Sequence, residues 1–199
     1  MVMKVREVIE AVRSLFSRPF TESFPTGPAK ISEQFRGMPQ YHEEDCVGCG
    51  ACAEVCPAGA ITVADDIEAG KRILTIDLGR CIFCGQCELY CITKKGILQS
   101  NEYDMVTFDH TEAKQSVEKD LVFCEETGEV ISTADHIRWV ARKIGALAYA
   151  NPTLLLALQS ELLDRPLIPE GPKPGMPVKM QVLSPEARRR SVLRDEWSD

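Results

Sequence analysis

Two stretches of the chain carry the same arrangement of cysteines: CVGCGACAEVCPAG at residues 46–59 and CIFCGQCELYCITKKG at residues 81–96. Each contains four cysteines with the spacing C-x2-C-x2-C-x3-C, and the second copy follows the first at an offset of 35 residues. Eight of the nine cysteines of the chain therefore belong to one internal repeat. The repeat predicts a small domain made of two equivalent halves.

Short runs rich in β-branched residues accompany each copy. AITV (60–63) and RILTI (72–76) are predicted to pair as a hairpin, and GILQ (96–99) is predicted to pair with MVTF (105–108) in the same way. We therefore expect an α+β fold, with a small pseudo-twofold domain of short β-hairpins over residues 41–110.

An amphipathic helix is predicted before this domain. In MKVREVIEAVRSLF (3–16), apolar residues recur at helical spacing, with charged residues around them. A stretch rich in Pro and Gly follows and is predicted to form an extended linker. Residues 1–40 are therefore expected to hold a helix and a linker.

A helical extension is predicted over residues 111–164. STADHIRWVARKIGALAYA (132–150) opens with candidate capping residues, and a second helix is expected from Pro152, which suits a first turn, to about Leu163. Residues 165–199 carry five prolines in their first thirteen positions. We expect there a Pro-rich extended tail, either disordered or laid along another protein.

Composition excludes some classes of function. Hydrophobic residues make up 44% and charged residues 27% of the 199 residues, which is typical of a globular protein. No apolar run reaches the roughly 18–20 residues that cross a bilayer, and no signal peptide is recognised, so a cytoplasmic location is expected. Residues 41–110 hold 5 Lys/Arg against 12 Asp/Glu, which argues against nucleic acid as a partner.

Nine cysteines in a reducing compartment indicate metal binding rather than disulfide bonds. A tetrahedral zinc site uses two C-x2-4-C pairs and leaves the further cysteine of each copy without a role. An iron–sulfur cluster uses all of them, and Gly48, Gly50 and Gly85 permit tight turns around it. The pattern favours iron–sulfur clusters over zinc, and zinc over disulfides.

The spacing, with Pro57 after the fourth cysteine, resembles that of bacterial two-cluster ferredoxins, in which the fourth cysteine of each run binds the other cluster. Ile92 departs from this pattern in the second copy. The resemblance implies two [4Fe–4S] clusters as cofactors and two ligand sets. Cluster one would take Cys46, Cys49, Cys52 and Cys91, and cluster two would take Cys81, Cys84, Cys87 and Cys56.

The flanking segments extend the resemblance. The order of helix, linker ending in FRGMPQYHEEDC (35–46), twin motif and long C-terminal extension resembles the two-cluster iron–sulfur subunit of membrane-bound, energy-converting [NiFe] hydrogenases and formate hydrogenlyases. That subunit is related to the equivalent subunit of respiratory complex I. The family implies a non-catalytic relay without a membrane span, on the cytoplasmic side of a membrane complex. It would pass electrons from a ferredoxin or dehydrogenase arm to a hydrogenase-type small subunit.

Other functions remain open at this stage. The equivalent relay of a complex I-type quinone oxidoreductase, or of a sulfur-reducing relative, fits the same motifs. A free ferredoxin is less consistent with the long extensions, and an enzyme with its own substrate lacks a phosphate loop, nucleophile motif or flavin fingerprint in this sequence. CEETGEV (124–130) resembles a metal knuckle with Thr127 in place of its second cysteine, so Cys124 is expected to be an ordinary buried thiol.

Overall fold

The structure of the protein is a computed structural model that describes residues 5–18, 21, 24–163 and 181–196, with side chains in the last range described as far as 191. The chain divides into two compact units, Met1–Phe35 and Arg36–Asp199. No helix among the described residues is long and apolar enough to cross a bilayer.

The first unit contains helix α1, Val5–Phe16, which confirms the predicted amphipathic helix. Its apolar residues recur at a spacing of three and four, so they share one face. None of its residues is buried. The exposed apolar side chains are Val5, Val8, Ile9, Val12, Leu15 and Phe16.

A four-stranded antiparallel sheet supports the second unit. Strands β2 (Ile61–Asp66) and β3 (Lys71–Asp77) form the predicted hairpin, with Ile61 opposite Ile76. The expected helical extension of residues 111–164 begins instead with two strands, β5 (Lys114–Phe123) and β6 (Val130–Thr133). Residues 114–120 of β5 pair with β3 and its last three residues pair with β6, so the strand order is β2-β3-β5-β6. The distant partner β3 is what makes the segment extended.

The second predicted hairpin was wrong. Strand β4 (Ile97–Gln99) pairs with β1 (Pro39–Tyr41), in the register Tyr41 opposite Ile97, and not with residues 105–108. Val106 and Phe108 remain almost fully exposed, whereas Ile97 is buried. Residues 39–41, and not residues 105–108, pair with β4, because this pairing also buries the side chain of Pro39.

The cysteines lie around two short helices, α2 (Ala51–Glu54) and α3 (Gln86–Leu89). Gly50 and Gly85 precede these helices with φ of 80° and 76°, a region that glycine enters without a steric penalty. Both motifs and the adjacent strands bury one core. Its members are Cys46, Cys52, Ile61, Leu74, Ile76, Cys87, Cys91, Ile97 and Val117.

Two helices follow the sheet, as predicted. Thr133 caps the N-terminus of helix α4 (Ala134–Ile144), since its hydroxyl accepts a hydrogen bond from the backbone amide of His136. A 3-10 helix (Gly145–Ala150) leads to α5 (Pro152–Leu162), which the Asn151 side chain caps. The predicted start at Pro152 is confirmed, with the proline in the first turn.

The expectation of an extended tail over residues 165–199 was wrong for its last part. Residues 185–196 form helix α6 (Pro185–Glu196), and the proline-rich residues 164–180 lie outside the described part. The Ser184 hydroxyl accepts the amide of Ala187, so it caps α6. Val182 and Ala187 are fully buried, and Val182 packs in a core with β5, α4 and α5. The described C-terminal residues therefore pack against β5, α4 and α5 of the same chain.

Candidate metal centres

Eight cysteines surround two separate cavities in the second unit. Each cavity combines three cysteines of one motif with the fourth cysteine of the other. None of these eight cysteines forms a disulfide bond. The first cavity is lined by Cys46, Cys49, Cys52 and Cys91, and the second by Cys81, Cys84, Cys87 and Cys56.

The remaining walls of both cavities are largely apolar. Leu74 and Ile97 line the first cavity, and Ile61 and Ile76 line the second. Each of these side chains is at least 94% buried. Such walls lower the effective dielectric constant on the inner side of each cavity, which strengthens electrostatic interactions there.

The backbone turns between the first two cysteines of each motif are alike. Gly48 has φ of 66°, and Phe83, at the equivalent position of the second motif, has φ of 53°. A Cβ atom on Gly48 would lie 2.9 Å from Cγ2 of Thr133, so the first turn requires glycine, whereas the second accepts the strain of a larger residue. The turn directs the Phe83 amide towards Cys81 Sγ at 3.4 Å.

The turns after the fourth cysteines also correspond. The amides of Gly59 and Lys94 each donate to the carbonyl oxygen of the fourth cysteine at 3.1 Å, and both residues have positive φ. Lys95 is the additional residue of the second copy. Lys94 and Lys95 are exposed. The side chain of Lys94 is fixed by a hydrogen bond within the chain, from its Nζ to Leu89 O at 2.6 Å.

Side chains of the two-stranded sheet formed by β1 and β4 lie close to cysteine sulfur atoms. The Tyr41 hydroxyl lies 3.8 Å from Cys52 Sγ, and Gln99 Nε2 donates to Cys87 Sγ at 3.7 Å. Burial raises the pKa of Tyr41 above its usual value, so its hydroxyl keeps its proton. Sequence reasoning missed Tyr41 and Gln99, because their proximity to sulfur depends on the pairing of β1 with β4. It also missed Thr93, although a hydroxyl two residues after Cys91 is a local signal.

The thiols are poor acids in this environment. Burial raises the pKa of most of them above the ordinary 9.0, to about 12 at Cys52 and about 11 at Cys87. Cys91 differs: burial opposes ionisation, but the Thr93 hydroxyl and nearby amides outweigh it and lower the pKa. Further thiols with a raised pKa are Cys46, Cys49 and Cys81.

Buried thiolates need a cation in place of the lost proton, and four of them around an apolar cavity suit a polynuclear iron–sulfur centre. Backbone amides directed at sulfur, such as Ala60 N–H on Cys56 Sγ at 3.2 Å, supply the hydrogen bonds that such centres use. The residues present therefore fit two clusters.

Cys124 belongs to neither cavity. It is 2% exposed, and the Ser184 amide donates to its sulfur at 3.4 Å. Burial opposes ionisation, but hydrogen bonds from Ser184 and Thr127 outweigh it and lower the pKa of Cys124 to about 7. The expected buried thiol is thus present, covered by the segment that leads into α6.

Residues 36–95, which include both motifs, match a family model described as a 4Fe-4S dicluster domain. This part of the chain is therefore a 4Fe-4S dicluster domain of mixed helix and sheet, and two [4Fe–4S] clusters are the cofactors of the protein. The prediction of iron–sulfur clusters, made from the cysteine spacing, is confirmed.

Two curated relatives indicate which iron–sulfur proteins this chain is similar to. The chain is 34% identical over 100 residues to NAD(P)H-quinone oxidoreductase subunit I of Gloeobacter violaceus, covering 48% of this chain and 47% of that protein. It is 37% identical over 59 residues to formate hydrogenlyase subunit 6 of Escherichia coli, covering 30% and 33%. It therefore spans less than half the length of these two relatives.

A third relative is covered almost completely. The chain is 30% identical over 123 residues to NADH-quinone oxidoreductase subunit I 2 of Geobacter metallireducens, covering 58% of this chain and 87% of that protein. Among solved structures, the membrane-bound sulfane sulfur reductase, an archaeal respiratory membrane complex, contains a chain with 26% identity and a TM-score of 0.42. That match covers 57% of this chain and 61% of the other.

The chain belongs to the family of iron–sulfur subunits that includes NADH-quinone oxidoreductase subunit I. The resemblance predicted from the sequence, to the two-cluster subunits of hydrogenase-type and quinone-reducing complexes, is confirmed.

Proposed function

We propose that this protein is an electron-relay subunit of a membrane-bound oxidoreductase complex. It would accept low-potential electrons from a ferredoxin or dehydrogenase arm and pass them to the small subunit of a [NiFe] hydrogenase-type enzyme. The observation that carries the proposal is the pair of adjacent four-thiol cavities, each completed by a cysteine of the other motif. When bound, the clusters supply one-electron chemistry without proton transfer or bond formation.

The ligand sets follow from the same cavities. We assign Cys46, Cys49, Cys52 and Cys91 to the first cluster, and Cys81, Cys84, Cys87 and Cys56 to the second. Cys52 and Cys56 are four residues apart, so their Cα atoms lie within about 14 Å of each other. The two clusters are then close neighbours, as electron transfer between them requires.

The protein itself contributes binding, dry surroundings and hydrogen bonds. Its thiolates hold each cluster, and the apolar walls keep water from the sulfur atoms. Amides and hydroxyls donate to sulfur and stabilise the negative charge there. The exchange of Cys56 and Cys91 between the motifs ties the two halves of the domain together, which makes cluster binding part of folding.

Helix α1 supports a docked position for the subunit. Its apolar face is exposed along the whole helix, with Phe16 88% and Leu15 79% accessible. An unpartnered apolar face of this kind is typical of an interaction site. We place it against the membrane arm of the complex, with the subunit peripheral on the cytoplasmic side. The acidic dicluster domain argues against nucleic acid as a partner.

A second candidate is the equivalent relay of a quinone-reducing complex. The specific observation in its favour is the match to NADH-quinone oxidoreductase subunit I 2, which covers 87% of that protein. The chemistry at this subunit would be identical, because both complexes need one-electron transfer between two clusters. The acceptor lies in another polypeptide, so the candidates differ in partners alone.

Purification of the native protein under anaerobic conditions, with its partners retained, separates these candidates. We expect eight iron atoms on this chain, together with a [NiFe] large subunit and antiporter-like membrane proteins identified by mass spectrometry. Quinone-reductase subunits in their place would select the second candidate. A lone monomer with eight iron atoms would contradict both and indicate a diffusing ferredoxin.

A further inference from the structure

The two turns that follow the fourth cysteines differ in one side chain. Thr93 occupies the position that Ala58 has in the first copy, each directly before a residue with positive φ. Ala58 lines the second cavity, next to Cys56, and Thr93 lines the first, next to Cys91. The substitution thus places a hydroxyl at one cavity and a methyl group at the other.

The direction of the hydrogen bond from Thr93 follows from its neighbours. Its Oγ1 accepts the amides of Gly96 at 3.0 Å and Lys95 at 3.4 Å. A hydroxyl has one proton to donate, and Cys91 Sγ lies 3.3 Å from Oγ1. A cysteine sulfur bound to iron carries no proton. Thr93 is therefore the donor and Cys91 the acceptor.

The corresponding turn lacks this arrangement. There, Ala60 N–H donates directly to Cys56 Sγ at 3.2 Å. In the second copy, the equivalent amide, that of Gly96, donates to Thr93 Oγ1 at 3.0 Å, and the Thr93 hydroxyl donates to Cys91 Sγ at 3.3 Å. The fourth cysteine of each motif therefore accepts a hydrogen bond, from an amide at Cys56 and from a hydroxyl at Cys91.

A second hydroxyl reinforces the difference. Tyr41 lies 3.8 Å from Cys52 Sγ in the first cavity, whereas the equivalent residue at the second cavity is Ile76. The second cavity has no such hydroxyl among the described contacts, but it receives the side-chain amide of Gln99 at Cys87 Sγ (3.7 Å) and the backbone amides of Phe83 and Ala60 at Cys81 Sγ (3.4 Å) and Cys56 Sγ (3.2 Å). Hydrogen bonds to sulfur raise the reduction potential of a cluster, since they stabilise the more negative reduced state more.

Cations lie near both cavities. The coulombic influence of Lys119 reaches Cys46, and that of Arg72 reaches Cys49. Each of these two is paired, Lys119 with Asp135 at 3.2 Å and Arg72 with Asp65 at 2.7 Å, which cancels much of its field. At the second cavity, Arg36 Nη1 donates to Cys84 O at 3.0 Å.

We propose that Thr93 tunes the first-cavity cluster: its hydroxyl, donating to Cys91 Sγ, raises the reduction potential of that cluster above the value it would have without the hydroxyl. The inference rests on the ligand sets proposed above. It makes Thr93 a positioning residue that acts on the cluster through a ligand sulfur.

The test is a redox titration of the holoprotein followed by electron paramagnetic resonance. In the wild type, eight iron atoms and two one-electron steps are expected; fewer would overturn the proposed function itself. Thr93→Val, which keeps the shape but removes the hydroxyl, should lower the step of the first-cavity cluster by about 59 mV, a tenfold change in the reduced-to-oxidised ratio. The other step should stay in place.

Two further variants make the result decisive. Thr93→Ser retains the hydroxyl and should keep the wild-type potential, which a purely structural role of the methyl group would not predict. Cys56→Ser perturbs the second-cavity cluster and so identifies its step. The inference is overturned if Thr93→Val moves both steps or neither, if it moves the step that Cys56→Ser perturbs, or if Ser and Val have the same effect.

Discussion

Cys52 and Cys56 lie four residues apart in the chain, yet Cys52 lines the first cavity and Cys56 lines the second. One short helical segment, which begins at α2, therefore contributes to both centres. Cys87 and Cys91 repeat the relationship in the opposite sense. This crossing makes the ligand scheme testable at single residues.

Replacement of Cys56 by serine should damage the cluster of the second motif, although Cys56 belongs to the first. We expect iron to fall from eight towards about four atoms per chain, with the spectrum of the first-cavity cluster preserved. Anaerobic iron analysis and electron paramagnetic resonance measure this. Cys124→Ser is the control and should retain all eight. Selective loss of the first-motif cluster would show that the ligands are not exchanged.

Alanine substitutions at Gly48 and Gly128 distinguish the cost of backbone strain from the cost of a close side-chain contact. Both have positive φ, 66° and 71°, so alanine at either position should cost about 1–2 kcal/mol of stability. A Cβ atom on Gly48 also meets Thr133 Cγ2 at 2.9 Å, whereas nothing lies within 4 Å of one on Gly128. We expect Gly48→Ala to cost roughly a further 1–3 kcal/mol and to reduce iron content. Equal losses in anaerobic denaturation would argue against the close contact.

The described end of the chain should stabilise the domain. Leu183 is 9% exposed, and its amide donates to the Thr153 hydroxyl at 3.2 Å. Leu183→Ala should lower the free energy of unfolding by about 2–4 kcal/mol and speed alkylation of Cys124, with which Leu183 packs. Leu147→Ala, at a site 73% exposed, is the control. An unchanged melting temperature and alkylation rate would mean that this segment does not cover Cys124 in solution.

Cys124 should make stability depend on pH. Its pKa is lowered from 9.0 to about 7, so between these values the unfolded chain binds more protons than the folded one. Stability from this group is fully present above about pH 9 and is lost as the pH falls through about 7. The stability difference between wild type and Cys124→Ser should therefore grow from pH 7 to pH 9. A constant difference across anaerobic denaturation curves would refute the lowered pKa.

The apolar face of α1 should be needed for assembly but not for cluster binding. Ile9→Asp places a charge at the centre of that face, where Ile9 is 59% exposed, and should reduce recovery of the complex while iron content stays at eight. Ser14→Asp places the same charge on the opposite side of the helix and should have little effect. Equal recovery of both variants with the native partners would exclude α1 as the docking surface.

Local patterns determined much of the fold in advance. The cysteine spacing predicted the clusters, two short runs rich in β-branched residues predicted the hairpin from Ile61 to Ile76, and Pro152 marked the start of α5. These features depend on neighbours in the chain, for which spacing and residue type are sufficient. The exchange of Cys56 and Cys91 was available only through resemblance, because nothing local indicates which cavity a fourth cysteine joins.

Tertiary structure decided the contacts between distant segments. The sequence alone determined which thiols exist and that they bind clusters. It did not determine that Tyr41 pairs with Ile97, that Lys114–Phe123 becomes a strand, or that Val182 is buried beside α5. Each depends on competition among many segments for the same buried surface and unpaired strand edges. The physical reason is that burial free energy belongs to pairs of segments, so the contacts of Tyr41 and Gln99 with cysteine sulfur exist only in the assembled domain.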